Sequence, residues 1–151
     1  MNKKLIKRVV KQINPDIKVI FHEADNESDI QRKTVYYNFG SDWLDQDMQD
    51  NIREVHRYFP ISGSVKPETL IVLHEVGHIE SLKHYTPASV GFALRRYARH
   101  IDALNDNETL PYYLKARRYA LLALERKANK WATDFIKNNP DIVQELEKAF
   151  A

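Results

Sequence analysis

Between Leu70 and Leu82 the chain is apolar on nearly every side, yet His74, Glu75 and His78 sit in the middle of this run. A long apolar segment of this kind predicts a helix buried at the centre of the fold rather than one lying on its surface. Pro67 suits the first turn of that helix, with Ser64 or Lys66 just ahead of it. Burying two imidazoles and a carboxylate costs free energy unless a cleft, a partner or a metal ion serves them. The helix must therefore be central and must also open onto something polar. These two demands limit how the rest of the chain can fold.

His74 and His78 are four residues apart, which on an α-helix is about 40° of rotation and one turn of rise. Both imidazoles then project from one face, close enough to share a single ion. Glu75, beside them, is a carboxylate able to take a proton from water. On a helix, His-Glu-x-x-His is the pattern in which two imidazoles hold zinc and the glutamate serves as general base. Gly77, between the histidines, lets another backbone or a substrate come close at some cost in helix propensity.

A catalytic zinc of this kind takes three protein ligands. The chain has no cysteine, so disulfides and thiolate ligands are excluded and any metal must use histidine and carboxylate. One candidate for the third ligand is Glu125, expected on a helix face with Leu121, Leu122, Ala128, Ala132 and Phe135, where a carboxylate needs a partner. Ala128 and Ala132 are small enough for that helix to press against the one bearing the histidines. Asn129, one turn beyond Glu125, is placed to accept a hydrogen bond from a ligand imidazole and fix its tautomer. The other candidate is His84, which matches the spacing H-E-x-x-H-x-x-G-x-x-H. Ser81 stands where that pattern has its turn-forming glycine, and the only methionines, Met1 and Met48, precede the motif. The reading favours Glu125, with His84 as the alternative.

The two motifs, His74-Glu75-Val76-Gly77-His78 and Glu125-Arg126-Lys127-Ala128-Asn129-Lys130-Trp131-Ala132, resemble the gluzincin arrangement. More closely, they resemble the ImmA/IrrE family of small bacterial and phage-borne metallopeptidases, whose helices read H-E-x-G-H and roughly E-x-E-A-N-x-F-A. Lys127 replaces the family's second glutamate, Trp131 takes the aromatic position, and a helix over Pro87–Asn105 lengthens the spacing between motifs. The resemblance covers the two motifs and the order of elements from the second strand onward. It implies His74, His78 and Glu125 as ligands of Zn2+ and Glu75 as general base. The implied activity is zinc-dependent peptide-bond hydrolysis, by a metallo-endopeptidase acting on a protein or peptide. Family members often act on transcriptional repressors; this chain shows no helix-turn-helix, so such a repressor would be a separate partner. The alternative reading is a zincin-like scaffold that binds a regulatory protein without hydrolysing it. Tyr85, His84, Tyr97, His100 and Tyr119 are candidates to stabilise an oxyanion, and the strand Thr34–Phe39 is expected as an edge for an extended substrate.

At 151 residues the chain is expected to form a single domain over 1–151, α+β and mainly helical, with a small N-terminal sheet packed on the central helix. A helix over Lys3–Gln12 leads into strands Ile17–Phe21 and Thr34–Phe39, joined by a long polar connection with a turn near Asp25-Asn26. Helices are expected over Trp43–Tyr58, from Pro67, from Pro87 to Asn105 and, unbroken, from Pro111 to about Lys137. A loop spans Phe59–Ser64, and Asp141 with Gln144 resembles a capping box for a last helix to Phe150. No apolar run suits a signal peptide or a membrane span, which points to the cytoplasm and to no membrane partner. Charge is uneven: His22–Arg57 carries nine acidic against four basic residues, and Pro87–Trp131 nine basic against four acidic. These are read as solvated faces that complement each other within the fold. The counts do not support direct nucleic-acid binding.

Overall fold

The structure is a computed structural model and describes residues 1–61 and 64–151. Its elements run α1 (Lys3–Ile13), β1 (Lys18–Phe21), β2 (Glu27–Asp29), β3 (Thr34–Tyr37), α2 (Gln46–Tyr58), α3 (Pro67–Glu80), α4 (Pro87–Asp106), α5 (Tyr112–Ala120), α6 (Ala123–Asn138) and α7 (Pro140–Glu147), closing on a 3-10 turn at Lys148–Phe150. This is the α+β, mainly helical architecture expected, with its small sheet at the N-terminal end. Of the expected loop Phe59–Ser64, Ser62 and Gly63 lie outside the described residues.

The α3 helix is the axis of the core. Pro67 occupies its first turn, where a missing N–H costs nothing, and Lys66 precedes it. Eleven of its fourteen residues are buried, which is why no amphipathic stripe is visible in its sequence. On one side it carries the sheet. The Tyr37 hydroxyl, fully buried, donates to the Val72 carbonyl at 2.8 Å, and Val35, Val72 and Val76 fill the space between. On the other side lies α6, and here Gly77 is decisive. A Cβ at Gly77 would stand 2.6 Å from the Ala128 carbonyl oxygen and 3.2 Å from the Ala128 Cα. The two backbones touch because neither residue brings a side chain between them.

The ends of α3 are held by polar contacts. Glu80, buried, accepts from Asn14 Nδ2 at 2.7 Å and from Lys83 Nζ at 3.0 Å, tying the end of α1 to the helix. At the other end Glu147 accepts from the Lys66 backbone N–H at 3.0 Å. The α1 helix is capped by Asn2 and buries Ile6, Val9 and Val10 against the same core.

Three expectations are corrected. The connection between the first two predicted strands contains a strand of its own, β2, closed by a turn whose Lys33 takes a left-handed φ of 49°. The sheet order is β1-β3-β2, with β1 parallel and β2 antiparallel to β3. The strand beginning at Thr34 is therefore central, and the edge nearest α3 is β2. Second, the helix predicted from Pro111 to Lys137 is broken: Leu122 is extended (φ −61°, ψ 141°) between α5 and α6. No Gly or Pro marks the break. The α5 half lies against α2, with Arg117 Nε 3.4 Å from Glu54 Oε1, while the α6 half follows α3. Third, Asp141 lies inside α7 and forms no capping box; Asn139 precedes that helix and its side chain donates to the Phe135 carbonyl.

Gly77→Ala is expected to destabilise the fold. Alanine gains about 1 kcal/mol of helix propensity, but overpacking a backbone contact costs about 1–3 kcal/mol. A net loss of up to about 2 kcal/mol should lower the midpoint of urea unfolding, and an unchanged midpoint would mean that α3 and α6 can slide apart freely.

Candidate metal centre

His74 and His78 stand one turn apart on α3, their rings 4.7 Å between centroids and nearly perpendicular. From across the Gly77–Ala128 contact, Glu125 reaches toward them from the first turn of α6. His74 Nε2 is 3.0 Å from Glu125 Oε2, and His78 Nε2 is 3.3 Å from Glu125 Oε1. The three donor atoms all lie within 4.8 Å of one another. Donors around a tetrahedral zinc, at metal–ligand distances of about 2.0–2.2 Å, stand roughly 3.4 Å apart. Two imidazole nitrogens and a carboxylate gathered in this way could hold a metal ion.

The supporting contacts also fit. His74 Nδ1 is 2.6 Å from Asn129 Oδ1, so this ring nitrogen donates to the amide and Nε2 faces the centre, where it carries a proton against Glu125 that a metal ion would displace. Glu125 is fixed by two phenols: Tyr97 Oη donates to its Oε1 at 2.8 Å and Tyr119 Oη at 3.0 Å. Glu125 is 2% exposed, and burial alone would push its carboxyl up. The two imidazoles outweigh that effect and hold it well below the ordinary value. For His74 burial works downward, and the Glu125 carboxylate more than reverses it, raising the imidazole to about 9. Burial pushes the Tyr119 hydroxyl up, and the neighbouring Glu125 charge adds to the effect.

Glu75 lies on the same helix, buried at 6% exposure, and faces a cleft of ≈ 250 Å³ together with His78, Glu125, Tyr97 and Tyr119. Burial raises its carboxyl above the usual range, while the nearby imidazoles and the Ser28 side chain draw it back. Ser28 belongs to β2, so the edge strand forms a wall of the cleft. Asn26 supports that wall: its side chain donates to the Asn38 carbonyl at 3.1 Å and accepts from the Asn38 N–H at 2.7 Å. The sequence marks Asn26 only as part of a turn and gives no sign of Ser28. The β2 strand is only three residues long and polar, so it gave no strand signal.

The structure thus brings His74, His78, Glu125 and Glu75 together, with Asn129 behind them. His84 is exposed in the turn after α3 and stands outside the cluster. Ser81 ends α3 with right-handed backbone (φ −68°, ψ −19°), so the chain does not make the reversal a glycine there would permit. Of the candidate oxyanion donors, Tyr97 and Tyr119 reach the site. Tyr85 and His100 line a separate cavity, and Lys127 Nζ lies 5.5 Å from the centre of the Tyr85 ring.

The cleft continues into a wider groove of ≈ 1060 Å³ that shares Asn26, Glu27, Tyr97 and Tyr119 with it. Glu23, Asp25, Glu27, Asp42, Asp45 and Asp47 line this groove, with no Lys or Arg. Among the described residues none of these carboxylates joins an ion pair. The expected mutual neutralisation of the acidic and basic stretches is met at one pair, Glu54 with Arg117. Among the described residues no helix is long and apolar enough to cross a membrane. No family model, curated protein or solved structure matches this chain.

Asn129→Ala should leave the fold intact, and a zinc ion held by His74, His78 and Glu125 would then bind about 10–100-fold more weakly, the usual cost of removing the group that orients a ligand histidine. Competition against a chromophoric chelator measures this; wild-type affinity in the variant would mean that His74 is oriented without it.

Proposed function

We propose that this protein is a zinc-dependent metallo-endopeptidase of the gluzincin kind, similar to the ImmA/IrrE family. His74, His78 and Glu125 hold the ion and Glu75 is the general base. The observation that carries this reading is the convergence of both His Nε2 atoms on the Glu125 carboxylate, with Glu75 in the same cleft. Sequence separation argues against coincidence: Glu125 and Asn129, the two residues of the second motif expected to touch the histidines, are the two that do.

Zinc held by these three donors would supply a Lewis acid that polarises the scissile carbonyl and makes water acidic enough to attack near neutral pH. Glu75 takes the proton of the attacking water and delivers it to the leaving amine nitrogen. Its raised carboxyl suits a base that must give the proton back. Tyr119, on the fixed α5 side of the cleft, borders the same space, and turning its O–H away from Glu125 Oε1 lets it donate to the oxygen that becomes negative. The β2 strand pairs with β3 alone among the described residues, and its free edge aligns an extended peptide along the cleft. The carboxylates of the adjoining groove give it a negative potential that favours a segment carrying Lys or Arg beside the cleaved bond. A regulatory protein such as a repressor, met in the cytoplasm, remains the substrate class proposed by resemblance.

The metal content of purified protein tests the ligand set. About one zinc per chain is expected in wild type, retained in His84→Ala and Glu75→Gln and lost in Glu125→Ala. Glu75→Gln should also lose cleavage by at least 100-fold, the low end of a general base's contribution; full proteolysis by that variant would sink the assignment. Among peptides cleaved by the wild type, Lys/Arg-flanked ones should exceed their Glu-flanked counterparts about tenfold in kcat/KM at low salt, with the gap closing as salt screens the groove. Equal rates at low salt would remove the charge preference and leave the zinc chemistry standing.

A further inference from the structure

The α4 helix is built unlike its neighbours. At twenty residues it is the longest helix, and among the described residues it is the one helix with no fully buried side chain. Open space borders it on two sides. Leu94 and Tyr97 face the ≈ 250 Å³ cleft over the metal centre. Phe92, 56% exposed, and His100 border a ≈ 370 Å³ cavity toward the α5–α6 break. A helix whose apolar side chains, Val90, Leu94, Ile101 and Leu104 among them, are at most partly buried belongs to the part of a fold that opens at low free-energy cost. Its polar tie to the centre is a single side chain, Tyr97, whose Oη donates to Glu125 Oε1 at 2.8 Å and lies 3.4 Å from Tyr119 Oη.

We infer that α4 is a lid over the metal cleft and that the Tyr97 hydroxyl is its latch. When the lid is closed, Tyr97 occupies a lone pair of the proposed third ligand and narrows the passage between α4 and the free edge of β2. When it is open, that passage admits an extended segment. The turns on either side of α4 act as hinges, and the latch is one charge-assisted hydrogen bond. Tyr119 bonds the same oxygen from α5, which is packed on α2, so it holds the carboxylate without holding the lid. The word lid rests on the metallopeptidase reading, because only that reading makes the cleft a substrate's path. The motion itself does not depend on it.

The chain has no cysteine, so a spin-label pair can be placed cleanly by Arg99→Cys on α4 and Lys130→Cys on α6, both exposed. Distances between the labels are measured on the full chain, metal-free and zinc-loaded, without any substrate. We expect two distance populations, and Tyr97→Phe should raise the longer one roughly tenfold, the value of one hydrogen bond to a charged acceptor. Tyr119→Phe in the same background should leave the distribution unchanged. A single narrow distance in wild type and in Tyr97→Phe overturns the lid, and an equal shift in Tyr119→Phe overturns the latch. Two populations in a protein that binds no zinc would uphold the motion and remove the peptidase reading instead.

Discussion

The contact between Gly77 and Ala128 is the constraint on which the site depends. At this point α3 and α6 approach backbone to backbone, and the approach sets where everything else on α6 can reach. Glu125 and Asn129 flank Ala128 at one residue and one turn, so both fall opposite the histidines of α3. One bonds to His74 Nε2 and the other to His74 Nδ1. A side chain at position 77 would move α6 outward and break both contacts together. The glycine lowers helix propensity in the one helix that burial stabilises most, and packing of Leu73, Val76 and Ala132 around it outweighs that loss.

Burying an imidazole pair with a carboxylate is costly, and the costs are met within the cluster. Desolvation disfavours the charged form of each group, while the opposite charge a few ångströms away favours it. For Glu125 and His74 the second effect prevails, so the pair remains ionised at the centre of the fold. Removing either partner would leave a buried charge alone, which is worse than never having the pair. The arrangement contributes little net stability for its complexity; α3 would pack at least as well with apolar residues at 74, 75, 78 and 125. Its persistence in an otherwise apolar helix is the physical reason for reading it as a working site.

Much of this is legible in the amino-acid sequence. The histidine spacing, Gly77, the small residues of α6 and the placement of Asn129 are consequences of helical geometry alone, and the structure brings those residues together as the geometry requires. The helix starts at Pro67 and Pro87 and the end of α1 at Asn14 follow from local backbone chemistry and also agree. Two features escaped. The β2 strand is three polar residues long and exists because Asn26 clips its start to Asn38 and its backbone pairs with β3. The break at Leu121-Leu122 carries no glycine or proline, because the packing of α5 on α2 and of α6 on α3 makes it.

Both features that escaped form walls of the cleft. The β2 strand supplies Ser28 beside Glu75, and the break turns the chain so that Tyr119 of α5 faces Glu125 of α6. In one continuous helix, residues 119 and 125 are six apart, which puts them about 120° apart around the axis and nearly two turns along it. The break puts them 3.0 Å apart at a hydrogen bond. Local sequence rules describe segments that take their preferred conformation and then pack. A cleft needs segments that depart from that preference, because its walls must converge on a point inside the fold from elements running in different directions. Two of the places where the local reading failed are therefore places where the chain bends to enclose the candidate metal centre.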